Sequence, residues 1–161
     1  MQSNKLKQLL TSWNYKTQGP IIVGVLNVTP DSFSDGGKFY TQEAALEQAQ
    51  LLLDEGAQII DIGGESTGPE AKPISSEEEL SRIETIVQTL APRAFLSIDT
   101  YHAQTAKRCL ELGAVMINDV SALRADQAMA EVISKANAYL VLMHSKELAE
   151  NPHASEREIE Y

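Results

Sequence analysis

Apolar residues fall into five short runs, separated by longer stretches in which they recur every third or fourth position. The runs cover residues 21–26, 59–62, 95–98, 115–117 and 139–143. The first run is rich in β-branched residues and contains no charge, which is typical of a strand covered on both faces in a parallel sheet. We therefore predict five strands, the first of them covered on both sides.

The stretches between the runs have helical spacing and helix-terminating residues. Helices are predicted over residues 42–55, from Ser75 or Ser76 up to Pro92, over residues 101–112, and around residues 129–133. Ser75 with Glu78 fits a capping box, Thr100 is expected to cap the third helix, and Gly113 is expected to end it. Alternating strands and helices predict parallel strands with right-handed crossovers. A doubly wound sheet and a (β/α)8 barrel both begin in this way, and both remain open.

Composition and charge narrow the possible functions. The 161 residues include 43% hydrophobic residues, enough for one domain with a core, and the net charge of -10 argues against nucleic-acid binding. Residues 1–20 are predicted to form an N-terminal cap segment on the domain formed by residues 21–161. The single cysteine, Cys109, excludes an internal disulfide, and no stretch is long and apolar enough for a signal peptide or a membrane span. A cytoplasmic protein is expected.

Polar residues stand at or near the end of every predicted strand. They are Asn27, Asp61, Asp99, Asn118 and His144. Because the carboxyl ends of parallel strands share one edge, these side chains are predicted to converge on one pocket. Asp and Asn side chains suit a flat heterocycle with several N–H and C=O groups, and Asn27 with nearby carboxylates suits Mg²⁺.

Structural roles are open for several of these residues. Asp119 is expected to be a helix N-cap rather than to bind a ligand, and Asp61 either contacts substrate or braces the loop that follows it. His144 is as compatible with an ordinary polar position as with a site. The sequence contains no GxGxxG fingerprint, no Walker A motif, no nucleophile elbow and no zinc-ligand spacing, which disfavours nucleotide-cofactor, serine-hydrolase and zinc sites.

Five motifs at the strand ends together resemble dihydropteroate synthase. They are NVTPDSFSDGG, DIGGEST, SIDTY, INDVS and LMH, in this order along the chain. The resemblance implies a (β/α)8 barrel, of which about the first five strands are present. It also implies condensation of 6-hydroxymethyl-7,8-dihydropterin diphosphate with p-aminobenzoate, with release of pyrophosphate, assisted by Mg²⁺. The full-length family is expected to be homodimeric and to be a sulfonamide target.

The same resemblance implies roles for individual residues. Asn27 is expected to bind Mg²⁺ and the diphosphate, and Asn27 and Asp99 are the expected catalytic residues. The expected substrate-binding residues are Phe33, Ser34, Asp35, Thr67, Asp99, Asn118, Met143 and His144. Departure of pyrophosphate leaves a cationic pterin methylene, which nearby carboxylate and amide groups would stabilise.

The chain departs from the family pattern in three respects. Gly68 stands where the family usually has an arginine after its second motif. Ser145 and Lys146 follow Met143-His144, where the family usually has a methionine followed by Arg or Gln and Gly. The later segments that supply an aspartate, a lysine and an Arg-x-His motif have no counterpart. We therefore expect the 161-residue monomer alone to be inactive or nearly so. A pterin-binding half-barrel that is non-catalytic or completed by a partner, and a pterin-dependent methyltransferase domain, are the alternatives.

Overall fold

A computed structural model describes residues 2–29, 42–66 and 72–144 of the chain. Its strands are β1 Val23–Asn27, β2 Ile59–Gly63, β3 Phe95–Asp99, β4 Met116–Asp119 and β5 Tyr139–Leu142. Its helices are α1 Gln2–Ser12, α2 Tyr15–Gln18, α3 Gln42–Asp54, α4 Ser76–Leu90, α5 Ala103–Leu112 and α6 Met129–Ala136. All five predicted strands and the four helices predicted between them are therefore present within these ranges.

Strand order distinguishes the two architectures that the sequence left open. The five strands form one parallel sheet in the order β1-β2-β3-β4-β5, with each strand paired to its successor in the chain. A doubly wound sheet reverses its order at a switch point, whereas a (β/α)8 barrel adds its strands consecutively. The described sheet is thus built as successive β/α units of a barrel.

One face of the sheet is packed against the helices. Leu26, Ile62, Ile98 and Ile117 are adjacent in register across four strands and are at most 1% exposed. They belong to a single core with buried residues of α3, α4, α5 and α6. This face positions the strands, and it leaves the alternate side chains of each strand on the opposite face.

The opposite face of β1 contradicts the prediction of a strand covered on both sides. Val23 is 47% exposed and Val25 is 58% exposed, whereas Gly24 and Leu26 between them are buried. β1 lies at one edge of the sheet, and the described residues place no element over its second face. Its apolar composition therefore reflects one buried face and one exposed face.

Helix α1 lies against the amino-terminal end of the sheet. Leu6 is fully buried in a cluster with Ile59 and Val115, and Leu9 and Leu10 pack on the same cluster. The carboxyl ends of the strands, which carry the polar residues, are at the other end. Whether residues 1–20 form a separate cap segment remains a prediction.

The helix termini follow the predictions in two places and depart from them in one. Ser75 accepts a hydrogen bond from the Glu78 backbone at 3.2 Å, and Gly113 adopts a left-handed φ of 113° after α5. Thr100 does not cap α5, because the helix begins at Ala103, whose backbone N–H donates to Asp126 Oδ2 at 2.9 Å. No helix in the described ranges is long and apolar enough to cross a bilayer.

Candidate functional site

Four residues form a row across the carboxyl ends of β1 to β4. Asn27, Gly63, Asp99 and Asn118 are successive partners in the parallel register, so their side-chain positions lie on the same face. This row confirms the convergence of Asn27, Asp99 and Asn118 that strand-end positions predict. It lies on the face opposite the helices.

Gly63 separates the amide of Asn27 from the carboxylate of Asp99. A Cβ atom at this position would lie 3.4 Å from Asn27 Oδ1 and 3.6 Å from Asp99 Oδ2. Both side chains therefore border the space that the glycine leaves empty. A side chain at this position would contact both of them.

Asp61 lies two residues before Gly63 on β2, and its side chain contacts Asn118 of the row. Its Oδ2 accepts a hydrogen bond from Asn118 Nδ2 at 3.0 Å, and the residue is only 7% exposed. Its Oδ1 is buried and has no hydrogen-bond partner among the described residues. Asp61 thus braces Asn118. One of the two sequence-based expectations had it bracing the loop that follows β2.

The electrostatic environment of the row is strongly acidic. Burial, followed by the neighbouring charges of Asp61 and Glu79, raises the pKa of Asp99 to about 7. Both protonation states of Asp99 are therefore accessible near neutral pH, and a positive charge placed beside it would favour the carboxylate. A cationic reaction centre or a metal ion is the kind of ligand that this environment stabilises.

Asp119 has a structural role, as predicted, but it stabilises a turn and does not cap a helix, because the next helix begins only at Met129. It is fully buried, and its Oδ1 accepts from the backbone N–H and hydroxyl of Ser121 at 2.8 and 2.7 Å, while Oδ2 accepts from the Leu123 N–H at 2.9 Å. These bonds hold Ala122 and Leu123 in left-handed conformations with φ of 54° and 66°. Asp119 therefore shapes the loop after β4.

Glu65 connects the loop between β2 and α4 to the loop after β3, a role that the sequence did not reveal. Its Oε1 accepts from the Tyr101 hydroxyl at 2.5 Å and from the Ile74 N–H at 3.3 Å, and its Oε2 lies 3.2 Å from His102 Nε2. Burial and the Glu65 contact raise the pKa of the Tyr101 hydroxyl, which keeps it a donor. Residues 65 and 74 lie near the two ends of the loop between β2 and α4, so the Glu65 carboxylate connects both ends of this loop.

Helix α4 contacts both the loop after β2 and the loop after β3. Arg82 Nη1 donates to the Gly64 carbonyl at 2.7 Å, and Thr100 Oγ1 donates to the buried Glu79 Oε2 at 2.8 Å. Burial raises the pKa of Glu79. Thr100 also accepts from the His102 N–H at 3.1 Å, so the residue expected to cap α5 instead joins α4 to the loop after β3. Contacts between residues 18 to 37 positions apart leave no local sequence signal.

Several predicted site residues are not part of the row. Met143 follows β5 and is partly buried, with its N–H 3.4 Å from the Asp119 carbonyl, and His144 is exposed. Phe33, Ser34, Asp35 and Thr67 lie outside the described residues. Within the described ranges, no three His, Cys, Asp or Glu side chains are grouped as metal ligands.

Comparison with known proteins places this geometry in a family. The profile of a family described as pterin binding enzyme matches residues 23–161. The chain belongs to the pterin-binding enzyme family. It is 47% identical over 125 residues to dihydropteroate synthase from Staphylococcus haemolyticus, a match that covers 77% of this chain and 47% of that protein.

Solved structures support the same placement in the pterin-binding family. Dihydropteroate synthase from Clostridium difficile, determined with pteroic acid, has a TM-score of 0.74 and 47% identity, covering 78% of this chain and 49% of that one. The Xanthomonas albilineans dihydropteroate synthase with 4-aminobenzoic acid has a TM-score of 0.74 and 42% identity, covering 81% and 48%. The chain spans about half the length of these relatives. The resemblance carried by the five motifs is confirmed, and these relatives give no support to the methyltransferase alternative.

Proposed function

We propose that this pterin-binding chain supplies the pterin-binding and metal-binding part of a dihydropteroate synthase site. The reaction is the condensation of 6-hydroxymethyl-7,8-dihydropterin diphosphate with p-aminobenzoate, which releases pyrophosphate and gives dihydropteroate. The observation that carries the proposal is the row of Asn27, Gly63, Asp99 and Asn118 at the carboxyl ends of adjacent parallel strands. Identity of 47% to a dihydropteroate synthase supports it.

Asp99 and Asn118 have the groups needed to recognise and stabilise the pterin. Asn118 donates from Nδ2 to Asp61, which leaves its Oδ1 as an acceptor for a ring N–H. The carboxylate of Asp99 stabilises the positive charge that develops on the pterin methylene as the diphosphate leaves. Because the aniline nitrogen of p-aminobenzoate is itself a nucleophile, the reaction needs no covalent enzyme intermediate.

The residues around Gly63 fit a magnesium ion bound together with a diphosphate. Mg²⁺ prefers oxygen ligands and commonly takes one or two from the protein and the rest from phosphates and water. Asn27 Oδ1 borders the space beside Gly63 and supplies such an oxygen. When bound, Mg²⁺ neutralises the charge of the departing pyrophosphate. Asn27 would hold the ion and the diphosphate, and Asp99 would stabilise the pterin methylene.

The remaining assignments belong to the same proposal. Thr67 binds the diphosphate and pterin, Phe33, Ser34 and Asp35 shape the p-aminobenzoate pocket, and Met143 and His144 complete the substrate pocket beyond β5. We further propose that sulfonamides compete with p-aminobenzoate, that the full-length enzyme is a homodimer, and that it acts in the cytoplasm. The single, buried Cys109 is consistent with a reducing compartment.

A second candidate function is pterin binding without turnover by the 161-residue chain. The exposed Val23, Val25 and Val141 lie on the same sheet face as the row, so this face lacks cover from the described residues. Catalysis depends on excluding water from the reacting centre. We therefore expect measurable pterin affinity from the chain alone and little or no dihydropteroate formation.

The test uses isothermal titration calorimetry or NMR to measure the affinity of 6-hydroxymethylpterin for the wild-type chain and for two variants. Asn118→Ala removes a ring contact and is expected to weaken binding about tenfold, the effect of one hydrogen bond lost from a partly buried site. Asp126→Asn is the matched control, because Asp126 caps α5 and does not border the row. Equal affinities in the wild-type and Asn118→Ala chains would contradict the proposed site.

A further inference from the structure

The role of Asp61 is not explained by ligand contact alone. It lies in a second row of the sheet, with Val25 and Ser97 as its register partners, one step below the row of Asn27, Gly63, Asp99 and Asn118. Its side chain is 7% exposed, and its neighbour Ser97 is 2% exposed. Asp61 is therefore largely buried, next to the row on the same face of the sheet.

We infer that Asp61 is a positioning residue that determines which end of the Asn118 amide faces the pterin. The inference rests on the proposed function and adds to it a residue that sets ligand specificity. Asn118 Nδ2 lies 3.0 Å from Asp61 Oδ2. A carboxylate can only accept hydrogen bonds, so it binds the NH₂ group of the amide and excludes the flipped orientation.

This constraint decides what the pocket recognises. With its NH₂ group committed to Asp61, Asn118 presents its carbonyl oxygen as an acceptor and selects a ligand that donates an N–H at that point. A flipped amide would present a donor and select a ring nitrogen or carbonyl instead. The 2-aminopyrimidinone edge of a pterin is rich in N–H donors, so the orientation set by Asp61 matches this class of heterocycle.

The second oxygen of Asp61 increases the importance of its bond to Asn118. Asp61 Oδ1 is buried and has no hydrogen-bond donor among the described residues. Buried polar atoms in folded proteins nearly always have a partner, which is either protein, water or ligand. Because Oδ1 is closed to solvent and has no donor, the bond from Asn118 Nδ2 is the hydrogen bond that the described residues provide to this buried carboxylate.

The experiment is a swap of the two side chains, with the dissociation constant of 6-hydroxymethylpterin as readout. Asp61→Asn places an amide opposite Asn118, which allows both orientations, and is expected to weaken pterin binding about tenfold. The double variant Asp61→Asn/Asn118→Asp lets the new Asn donate to the new Asp and again presents an oxygen to the pocket. It is expected to recover most of the lost affinity. Asp126→Asn is again the control and is expected to bind as wild type.

The outcomes separate this inference from the proposed function. Unchanged affinity in Asp61→Asn, or a double variant no tighter than Asp61→Asn, overturns the positioning role. If the wild-type chain does not bind pterin at all, the proposed function fails, and the side-chain ¹H and ¹⁵N resonances of Asn118 then decide the inference. An Asn118 NH₂ signal that shifts downfield relative to Asp61→Ala supports the orientation, and identical signals overturn it. Thermal unfolding of each variant checks that the fold is retained.

Discussion

The two faces of the sheet use alternate residues of the same strands for opposite purposes. On the helix side, Leu26, Ile62, Ile98 and Ile117 form a continuous buried row. On the other side, the neighbouring row contains Asn27, Gly63, Asp99 and Asn118, with the exposed Val25 beneath it. Because strand side chains alternate between faces, a shift of one residue exchanges a core position for a site position. Stability should therefore depend on one face and ligand binding on the other.

The largest expected effect comes from truncating the helix-side row. Ile62→Ala removes a fully buried side chain from the core and is expected to lower the free energy of unfolding by about 2–5 kcal/mol. Val25→Thr, on the exposed face, is expected to change it by less than about 1 kcal/mol. Urea unfolding followed by circular dichroism measures both. Similar losses in the two variants would show that the faces do not differ in this way.

Adjacent glycines provide the next test. A Cβ at Gly64 would lie 2.9 Å from both Glu79 Cγ and Ile83 Cγ2, so Gly64→Ala is expected to destabilise the fold by about 1–3 kcal/mol. At Gly63 the nearest atoms are 3.4 to 3.6 Å away, so Gly63→Ala is expected to unfold close to wild type. The Gly63 methyl should instead weaken diphosphate binding, because it enters the space between Asn27 and Asp99. The prediction fails if Gly63→Ala is the less stable of the two.

A stability effect of opposite sign is expected at Asp99. Its pKa rises from 3.8 to about 7 on folding, so the folded state binds the proton more tightly than the unfolded state. Between about pH 4 and pH 7 the free energy of unfolding should fall as pH rises, by at most about 1.4 kcal/mol per pH unit.

Asp99→Asn removes the contribution of Asp99 to this dependence and should make the protein more stable at pH 7.5 while it loses pterin affinity. The slope of unfolding free energy against pH, measured for both proteins, tests the point. The explanation is wrong if the two proteins have the same slope over this range.

The sequence predicted the elements whose signals are local. Ile59, Leu96 and Ile117 lie in strands where apolar runs indicated them, and Gly113 ended its helix as expected. The cover of β1 was predicted wrongly, because an apolar run does not show whether a strand lies at an edge of the sheet. The role of Thr100 was wrong because Asp126, 23 residues after Ala103, supplies the cap instead.

Only part of the candidate site was predicted, because some of its residues follow from strand order and others depend on contacts between distant residues. Asn27, Asp99 and Asn118 could be found because parallel strands bring their carboxyl ends together. Asp61 and Glu65 could not be assigned roles, since their partners Asn118 and Tyr101 are 57 and 36 residues away. Their contacts depend on register and loop geometry, which motifs alone do not specify.

The most direct test of the central claim is a map of where a pterin binds on the chain. Titration of ¹⁵N-labelled protein with 6-hydroxymethylpterin, followed by amide chemical shifts, distinguishes the two sheet faces and the helices. The account predicts saturable shifts concentrated at Gly63, Asp99 and Asn118, with little change along α3 and α4. Saturable shifts confined to the helices, or none at the row of Asn27, Gly63, Asp99 and Asn118, would contradict it.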